Sequence, residues 1–169
     1  MLGTDDFKAD TLMSDQRFTS ELKDDLKERR GERSSSPAFV CRYFPDGSEE
    51  RVVLSYAWSP ADQPAKNRRE SGTFYDVTGA AGETGQLAAA LYVKCDLAGE
   101  LRDPASKAVL RADASLTVNR GKDVSKEMEA QQLTYLYLMT REVTEDLGCT
   151  NKPLAKDPVV KPLTGSTPS

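Results

Sequence analysis

Hydrophobic residues recur along the chain with two different spacings, and each spacing predicts one kind of element. Between Asp5 and Arg30 the apolar positions are four residues apart and charged residues separate them, which predicts a helix with one narrow apolar stripe, Phe18, Leu22 and Leu26. Gly31 and the segment Ser34-Ser35-Ser36-Pro37 end this helix, because Gly accepts a left-handed conformation and Pro disfavours helical geometry before it. Residues 1–36 are therefore expected to form an N-terminal helical segment.

The strongest strand pattern is a hairpin. The segments 39–44 and 51–58 are rich in β-branched and aromatic residues, and they flank Pro45-Asp46-Gly47-Ser48, whose Pro and Gly favour a turn. Alternate positions of the second segment share one face, which we expect to face the core: Val52, Leu54, Tyr56 and Trp58.

Three further strands are predicted at 73–78, 86–95 and 110–118. In 86–95 the apolar positions alternate, and Cys95 is in register with them. In 110–118 Leu110, Ala112 and Ala114 oppose Arg111, Asp113 and Ser115, so one face of this strand should meet water. Half-buried strands of this kind are typical of antiparallel sheets.

A long amphipathic helix is predicted from about 123 to 147, with Asp123 or Ser125 as its cap. Its apolar stripe comprises Leu133, Leu136, Tyr137, Thr140, Val143 and Leu147. Gly148 follows at the position where a glycine commonly ends a helix, and Cys149 comes next, where the chain often folds back on the last turn. The tail 150–169 contains four prolines and little that could be buried, so we expect it to be extended and mobile.

Two segments between these elements are predicted to be loops. Residues 59–72 hold two prolines and no large apolar residue, which predicts a long exposed loop. Lys66, Arg68 and Arg69 in this loop could attract an anionic partner, although a solvated basic loop is the plainer interpretation. Residues 79–85 place glycines three apart, but no GK[ST] sequence follows and the next element resembles a strand, so a connecting loop is favoured over a phosphate site.

These elements predict one α+β domain, as the length of 169 residues also suggests. The core at 37–149 is expected to contain a small antiparallel sheet of four to five strands, with the long C-terminal amphipathic helix packed on one face. The N-terminal helical segment at 1–36 precedes this core, and the flexible Pro-rich tail at 150–169 follows it.

The charge balance and the absence of histidine exclude several classes of function. The formal net charge is −4 and no basic run is longer than a pair, so nucleic acid and anionic membranes are poor partners. The chain has no histidine, which excludes Ser-His-Asp and Cys-His mechanisms and most zinc sites with nitrogen ligands. We expect no cofactor and no metal. Adjacent acidic pairs such as Asp24 and Asp25 point apart, which favours solvated surface over paired catalytic carboxylates.

Cysteine placement and apolar runs bear on the compartment. Cys41, Cys95 and Cys149 share no CxxC spacing, so neither a zinc knuckle nor a redox dithiol is encoded. Buried free thiols and a disulfide between two of the three both remain open. No stretch approaches the about 18 apolar residues of a membrane span, so a membrane would be reached only through an anchor absent from this sequence.

Three motifs together resemble a known group of domains: Phe39-Val40-Cys41-Arg42-Tyr43-Phe44, Ala90-Leu91-Tyr92-Val93-Lys94-Cys95 and Leu147-Gly148-Cys149. Over about residues 37–149 the chain resembles extracytoplasmic domains of membrane-anchored proteins and lipoproteins of unassigned function from actinobacteria, chiefly streptomycete-like ones. The resemblance implies export, a small antiparallel sheet backed by a helix, and a Cys95–Cys149 bridge. No cysteine precedes Cys41 to pair with it, which departs from that group, and no catalytic residues carry over.

We therefore expect a non-catalytic binding or structural module of the cell envelope that is membrane-associated or secreted and acts on a protein or envelope component. Trp58, Lys66, Arg68 and Arg69 are the candidate binding residues. Two alternatives stay open. A histidine-independent enzyme would need a deep cleft with at least two acidic groups of perturbed pKa, and an intracellular regulatory subunit would keep all three cysteines reduced and apart.

Overall fold

The computed structural model of the chain describes residues 7–11, 14–29, 33–45, 51–67, 73–85, 88–117 and 125–163. The strands are β1 (Phe7–Thr11), β2 (Ala38–Pro45), β3 (Arg51–Pro60), β4 (Thr73–Val77), β5 (Ala80–Thr84), β6 (Ala88–Val93), β7 (Ala108–Thr117) and β8 (Val160–Pro162). The helices are α1 (Asp15–Glu28), α2 (Gln63–Asn67), α3 (Arg102–Ser106) and α4 (Lys126–Leu147).

All eight strands belong to one antiparallel sheet with the order β1-β2-β3-β7-β6-β5-β4-β8. The predicted α+β class and antiparallel sheet are confirmed, but the sheet is larger than the expected four to five strands. At its centre β3 pairs with β7 along its whole length, from Arg51 opposite Thr117 to Pro60 opposite Ala108. The predicted hairpin is the β2–β3 pair, and its turn at 46–50 lies outside the described residues.

Helices α1 and α4 cover the same face of this sheet, which we call the inner face. Phe18, Leu22 and Leu26 of α1 pack into one core with the long stripe of α4 and with alternate residues of the central strands. Leu54, Tyr56 and Trp58 of β3 are all buried there, which confirms the predicted core face. Because side chains alternate along a strand, the intervening residues lie on the opposite, outer face of the sheet.

Helix α4 begins and ends as its sequence predicts. The hydroxyl of Ser125 accepts a hydrogen bond from the backbone N–H of Met128 at 3.3 Å, which caps the first turn. Gly148 follows the last turn with φ of 79°, a left-handed conformation that glycine adopts without steric cost. The backbone N–H of Cys149 then donates to the carbonyl of Thr144, so the chain folds back on the helix.

The N-terminal prediction needs one correction. A single helix is expected between Asp5 and Arg30, but the first described element is β1, which pairs with β2, and α1 begins only at Asp15. The missed strand has only five residues and no long alternation, so the helical pattern that follows it dominates the sequence signal.

Both predicted loops contain regular structure. Strand β3 continues to Pro60 and α2 follows at Gln63, so residues 59–67 are not an irregular loop, while 68–72 lie outside the described part of the chain. The glycine-rich segment forms β5. A Cβ atom on Gly82 would lie 3.0 Å from Cγ2 of Val77 and 3.1 Å from both δ-carbons of Leu133, so this glycine lets α4 pack close to the sheet.

The prediction of an extended, mobile tail is wrong for residues 150–163, which dock on the fold. The side chain of Leu154 is 1% exposed and belongs to the core. The side chain of Arg141 donates hydrogen bonds to the carbonyls of Leu154 and Lys156, and the hydroxyl of Tyr137 also donates to the latter. Strand β8 then pairs with β4. Burial of Leu154 and hydrogen bonds to the backbone therefore hold this segment on the fold despite its polar composition.

Candidate functional site

The outer face carries a patch of polar side chains on β5, β6 and β7, beside α2. Asn67, Glu83, Tyr92, Arg111 and Asp113 form this patch, which we call the outer polar cluster. A small apolar group lies among them, formed by Ala90, Tyr92 and Val109 with Ala81 packed against it. The outer face is therefore partly exposed to solvent and partly apolar, without forming a second hydrophobic core.

Arg111 and Asp113 form the charged half of the cluster. They are two residues apart on β7, so their side chains leave the same face, and both are partly exposed. The carboxylate oxygen Oδ1 of Asp113 accepts from Nη2 of Arg111 at 2.6 Å and from Nε at 2.9 Å. The guanidinium also lies over the ring of Tyr92, 5.7 Å from its centre.

Burial and mutual attraction act on this pair in opposite directions. Burial raises the pKa of Asp113 above its usual range, by more than the neighbouring Arg111 lowers it, and Glu83 adds to the rise. Burial also disfavours the charge of Arg111, but Asp113, Tyr92 and Glu83 together outweigh this effect and raise the pKa of the guanidinium. The cluster thus combines the guanidinium of Arg111 with the acidic side chains of Asp113 and Glu83.

Tyr92 and Glu83 connect the sheet to α2. The side-chain amide of Asn67 donates to Oε2 of Glu83 at 2.8 Å and to the hydroxyl of Tyr92 at 2.7 Å, and this hydroxyl donates to the same carboxylate at 3.0 Å. Gln63 donates to Oδ1 of Asn67 at 2.6 Å, which orients its amide. Burial, followed by the charge of Glu83, raises the pKa of Tyr92, although Arg111 lowers it, so the hydroxyl stays a donor.

A shallow groove extends from the cluster to the edge of the sheet. Its outer-face lining crosses four strands through Asp76, Ala81, Tyr92 and Val109, and Leu163 closes the end beside β8. Lys94 is the cation at its rim. We call this the outer groove; its apolar floor and single charges of each sign suit a peptide-like ligand better than a highly charged one.

Of the predicted binding residues the structure describes Trp58 and Lys66, and it gives them different surroundings. Trp58 is 0% exposed, and its indole N–H donates to the backbone carbonyl of Leu22 at 2.7 Å, so its ring is a core contact between β3 and α1. The expectation that Trp58 helps to bind a partner is corrected by this burial. Lys66 is exposed on α2 and pairs with Asp62 at 3.0 Å. Arg68 and Arg69 lie outside the described residues.

The cluster was missed by sequence reasoning, although part of its signal was visible. The alternation of 110–118 already assigns Arg111 and Asp113 to the wet face, and that of 86–95 separates Tyr92 from the core positions. Nothing in the sequence assigns Asn67 or Glu83 to the same place, because one lies in a proline-containing segment and the other in the glycine-rich segment. Strand pairing brings them together.

The raised carboxyl pKa values do not converge on one cleft. Burial and then repulsion from Glu21 raise the pKa of Asp25, which lies on α1 at the inner face, whereas Asp113 lies on the outer face. These two groups are therefore separated by the sheet. In the described ranges no group of three or more cysteine or acidic side chains is arranged to hold a metal ion.

The Cys95–Cys149 bridge implied by the resemblance is present in the structure, with the two Cα atoms 5.0 Å apart. It joins the chain just after β6 to the chain just after α4, and both residues are buried. Next to it, Asn151 accepts from the backbone N–H of Asp96 and donates to the carbonyl of Lys94, as a paired strand would. None of the described helices is long and apolar enough to cross a membrane.

No protein-family model matches the chain, and neither a curated protein nor a solved structure matches it.

Proposed function

We propose that this domain is a non-catalytic binding module of the cell envelope that acts outside the cytoplasmic membrane on a protein or an envelope component. The observation that carries the proposal is the buried Cys95–Cys149 disulfide. Disulfides form and persist in oxidising compartments and are rare where thioredoxin and glutathione keep thiols reduced. The bridge therefore supports an extracytoplasmic location.

The outer polar cluster supports binding rather than a purely structural role. Arg and Tyr are enriched at protein interfaces, since they combine a large contact area with directed hydrogen bonds. The partly exposed guanidinium of Arg111 is held by Asp113 and by the ring of Tyr92, so little side-chain entropy remains to be lost on binding. The outer groove beside it provides the apolar contact.

The compartment is tested by the thiol state of the protein in the cells that make it. Free thiols are alkylated during lysis, and the alkyl groups on the intact chain are counted by mass spectrometry. We expect one alkylated cysteine before reduction and three after it, because the sequence has three cysteines and the bridge uses two. Three alkylated cysteines before reduction would contradict an extracytoplasmic location.

The binding face is tested with two matched substitutions. Arg111→Ala removes the cation of the outer polar cluster, whereas Arg17→Ala removes an exposed cation of α1 on the other side of the sheet. With both variants folded by circular dichroism, we expect Arg111→Ala to reduce the recovery of a partner from envelope extract about tenfold and Arg17→Ala to leave it unchanged. Equal recovery would exclude this face, and turnover of a substrate by the purified domain would overturn the non-catalytic proposal.

A further inference from the structure

The chain after α4 is held in two different ways. Residues 149–156 are fixed by the disulfide, by the hydrogen bonds of Thr150 and Asn151 to the end of β6, and by the buried side chain of Leu154. In residues 157–163 Val160 is only partly buried against the core, and Val159, Lys161 and Pro162 are exposed. The side chain of Asp157 at the junction is fully exposed. Residues 157–163 are thus attached to a firmly held segment but bury little side-chain surface themselves.

Strand β8 has different hydrogen-bonding capacity on its two edges. The N–H groups of Val159 and Leu163 point to β4, where they donate to the hydroxyl of Thr78 and to the carbonyl of Phe74. Backbone groups alternate between the two edges of a strand, so those of residues 158, 160 and 162 point away from β4. Two of these residues are prolines, which have no N–H group to donate. A further strand therefore cannot pair well with the free edge of β8, so strand addition on this side requires that β8 be replaced.

The register of β8 defines what a replacement strand must offer. Val160 lies opposite Val77 and packs toward the core, whereas Lys161 lies opposite the exposed carboxylate of Asp76 on the outer face. Leu163 lines the end of the outer groove beside Asp76. The matching sequence is an apolar residue, then a cation, and a second apolar residue two positions after the cation.

We propose that the edge of β4 is an acceptor site for an extended peptide segment of a partner protein, and that β8 occupies this site until such a segment displaces it. The partner segment pairs antiparallel with β4, and its backbone replaces the hydrogen bonds that β8 makes. Its Lys or Arg faces Asp76, and its apolar side chains face Val77 and the outer groove. The inference rests on the proposed function in one respect, since it names the partner class of that binding module.

The test uses the full chain and a synthetic peptide of residues 157–163, Asp-Pro-Val-Val-Lys-Pro-Leu. In the wild-type chain the tethered β8 competes at an effective concentration in the mM range, so the peptide binds weakly. Val160→Asp places a charge against the core and releases β8, while Val159→Asp places the same charge on an exposed position of the same segment. We expect Val160→Asp to bind the peptide about tenfold more tightly than either wild type or Val159→Asp.

A second peptide with Glu in place of the lysine that corresponds to Lys161 should bind Val160→Asp several-fold more weakly, because Glu would face Asp76. If Val160→Asp keeps the disulfide and the native circular dichroism spectrum but binds no more tightly than Val159→Asp, the proposal is wrong. A wild-type dimer that forms with rising concentration and is abolished by Val160→Asp would assign the edge to a second copy and would also overturn it.

Hydrogen exchange on the unmodified chain tests the release of β8 without any substitution. The amides that face β4, those of Val159, Lys161 and Leu163, should exchange at least about a hundredfold faster than those of β5 and β6, and the amides of Cys149 and Thr150 should stay protected. Uniform protection would show that β8 does not leave β4. The proposed binding face is tested separately. If Arg111→Ala reduces partner recovery but the peptide does not bind, only the inference about the β4 edge fails, and the binding face stands.

Discussion

Gly79 occupies the turn between β4 and β5 with φ of 81°, and the docked C-terminal segment passes directly over it. A Cβ atom at this position would clash with the backbone oxygen of Pro153, and no side-chain rotation relieves this clash. One hydrogen atom in place of a methyl group thus decides whether residues 150–156 can approach the sheet.

We therefore predict that Gly79→Ala destabilises the domain by about 2–3 kcal/mol, from the left-handed backbone and from the displaced segment together. Gly85→Ala is the matched control, since a Cβ atom there meets nothing within 4 Å and its φ is not positive. Urea unfolding of both variants measures the difference. Equal stability of the two variants would mean that the segment does not pack against this turn.

Tyr75 couples the sheet to α4 through a titratable group. Its hydroxyl donates to Oε2 of Glu129 at 2.6 Å, and burial together with this hydrogen bond raises the pKa of Tyr75 to about 12. In the unfolded chain the same group loses its proton near pH 10. Between pH 10 and 12 the folded state therefore binds more protons than the unfolded state, so stability falls as the pH rises.

The resulting prediction concerns Tyr75→Phe. This variant should be less stable than wild type below pH 10, where the hydrogen bond is fully present, and the difference should shrink as the pH rises to 12. Urea unfolding at pH 8, 10 and 11.5 measures it. Glu129→Gln, which keeps an acceptor without the charge, should end the fall in stability at a lower pH, because the folded-state pKa of Tyr75 is then less raised. A constant difference across this range would show that Tyr75 does not titrate as described.

At the scale of elements, Leu154 is the one buried side chain among residues 150–163. Leu154→Ala should destabilise the domain by about 2–5 kcal/mol, the usual cost of truncating a fully buried leucine. Val159→Ala is the control in the same segment, because Val159 is 53% exposed and should change stability by less than about 0.5 kcal/mol. Similar small effects of both substitutions would restore the interpretation of 150–163 as an undocked tail.

The elements that the sequence predicts correctly are those with a recognisable residue pattern. Helix α4, the β2–β3 hairpin and β4, β6 and β7 each have an apolar period or strong β-formers, and each lies where it is predicted. The missed strands β1, β5 and β8 lack such patterns. Strand β5 begins with Ala80, Ala81 and Gly82, where α4 packs close to the sheet, and β8 has only three residues within a proline-rich segment, so its pairing depends on β4.

The candidate site was less predictable than the fold. Exposure of Arg111 follows from alternation, but a wet face alone does not distinguish a binding residue from an ordinary surface residue. The hydrogen bonds of Asn67 with Glu83 and Tyr92 depend on the strand order β7-β6-β5 and on the position of α2, neither of which the local sequence specifies. Trp58 lies on the core side of its strand, as the alternation itself indicates.

At the scale of the whole molecule, the disulfide joins the two layers of the fold. Cys95 follows a central strand and Cys149 follows the helix that covers it, so the bridge ties the sheet to α4 and to the first anchored residues of the C-terminal segment. The same junction carries the side-chain hydrogen bonds of Thr150 and Asn151. Loss of the bridge should therefore loosen α4 and the C-terminal segment together rather than one of them alone.

The bridge closes a loop with a sequence separation of 54 residues, which in the chain-entropy model stabilises the fold by about 4 kcal/mol. The double variant Cys95→Ala/Cys149→Ala should therefore melt about 10 °C below wild type by calorimetry. Cys41→Ser leaves the bridge intact and should melt within about 2 °C of wild type. Dithiothreitol should lower the melting temperature of wild type and Cys41→Ser but not that of the double variant. If reductant lowers all three equally, its effect does not act through this bridge.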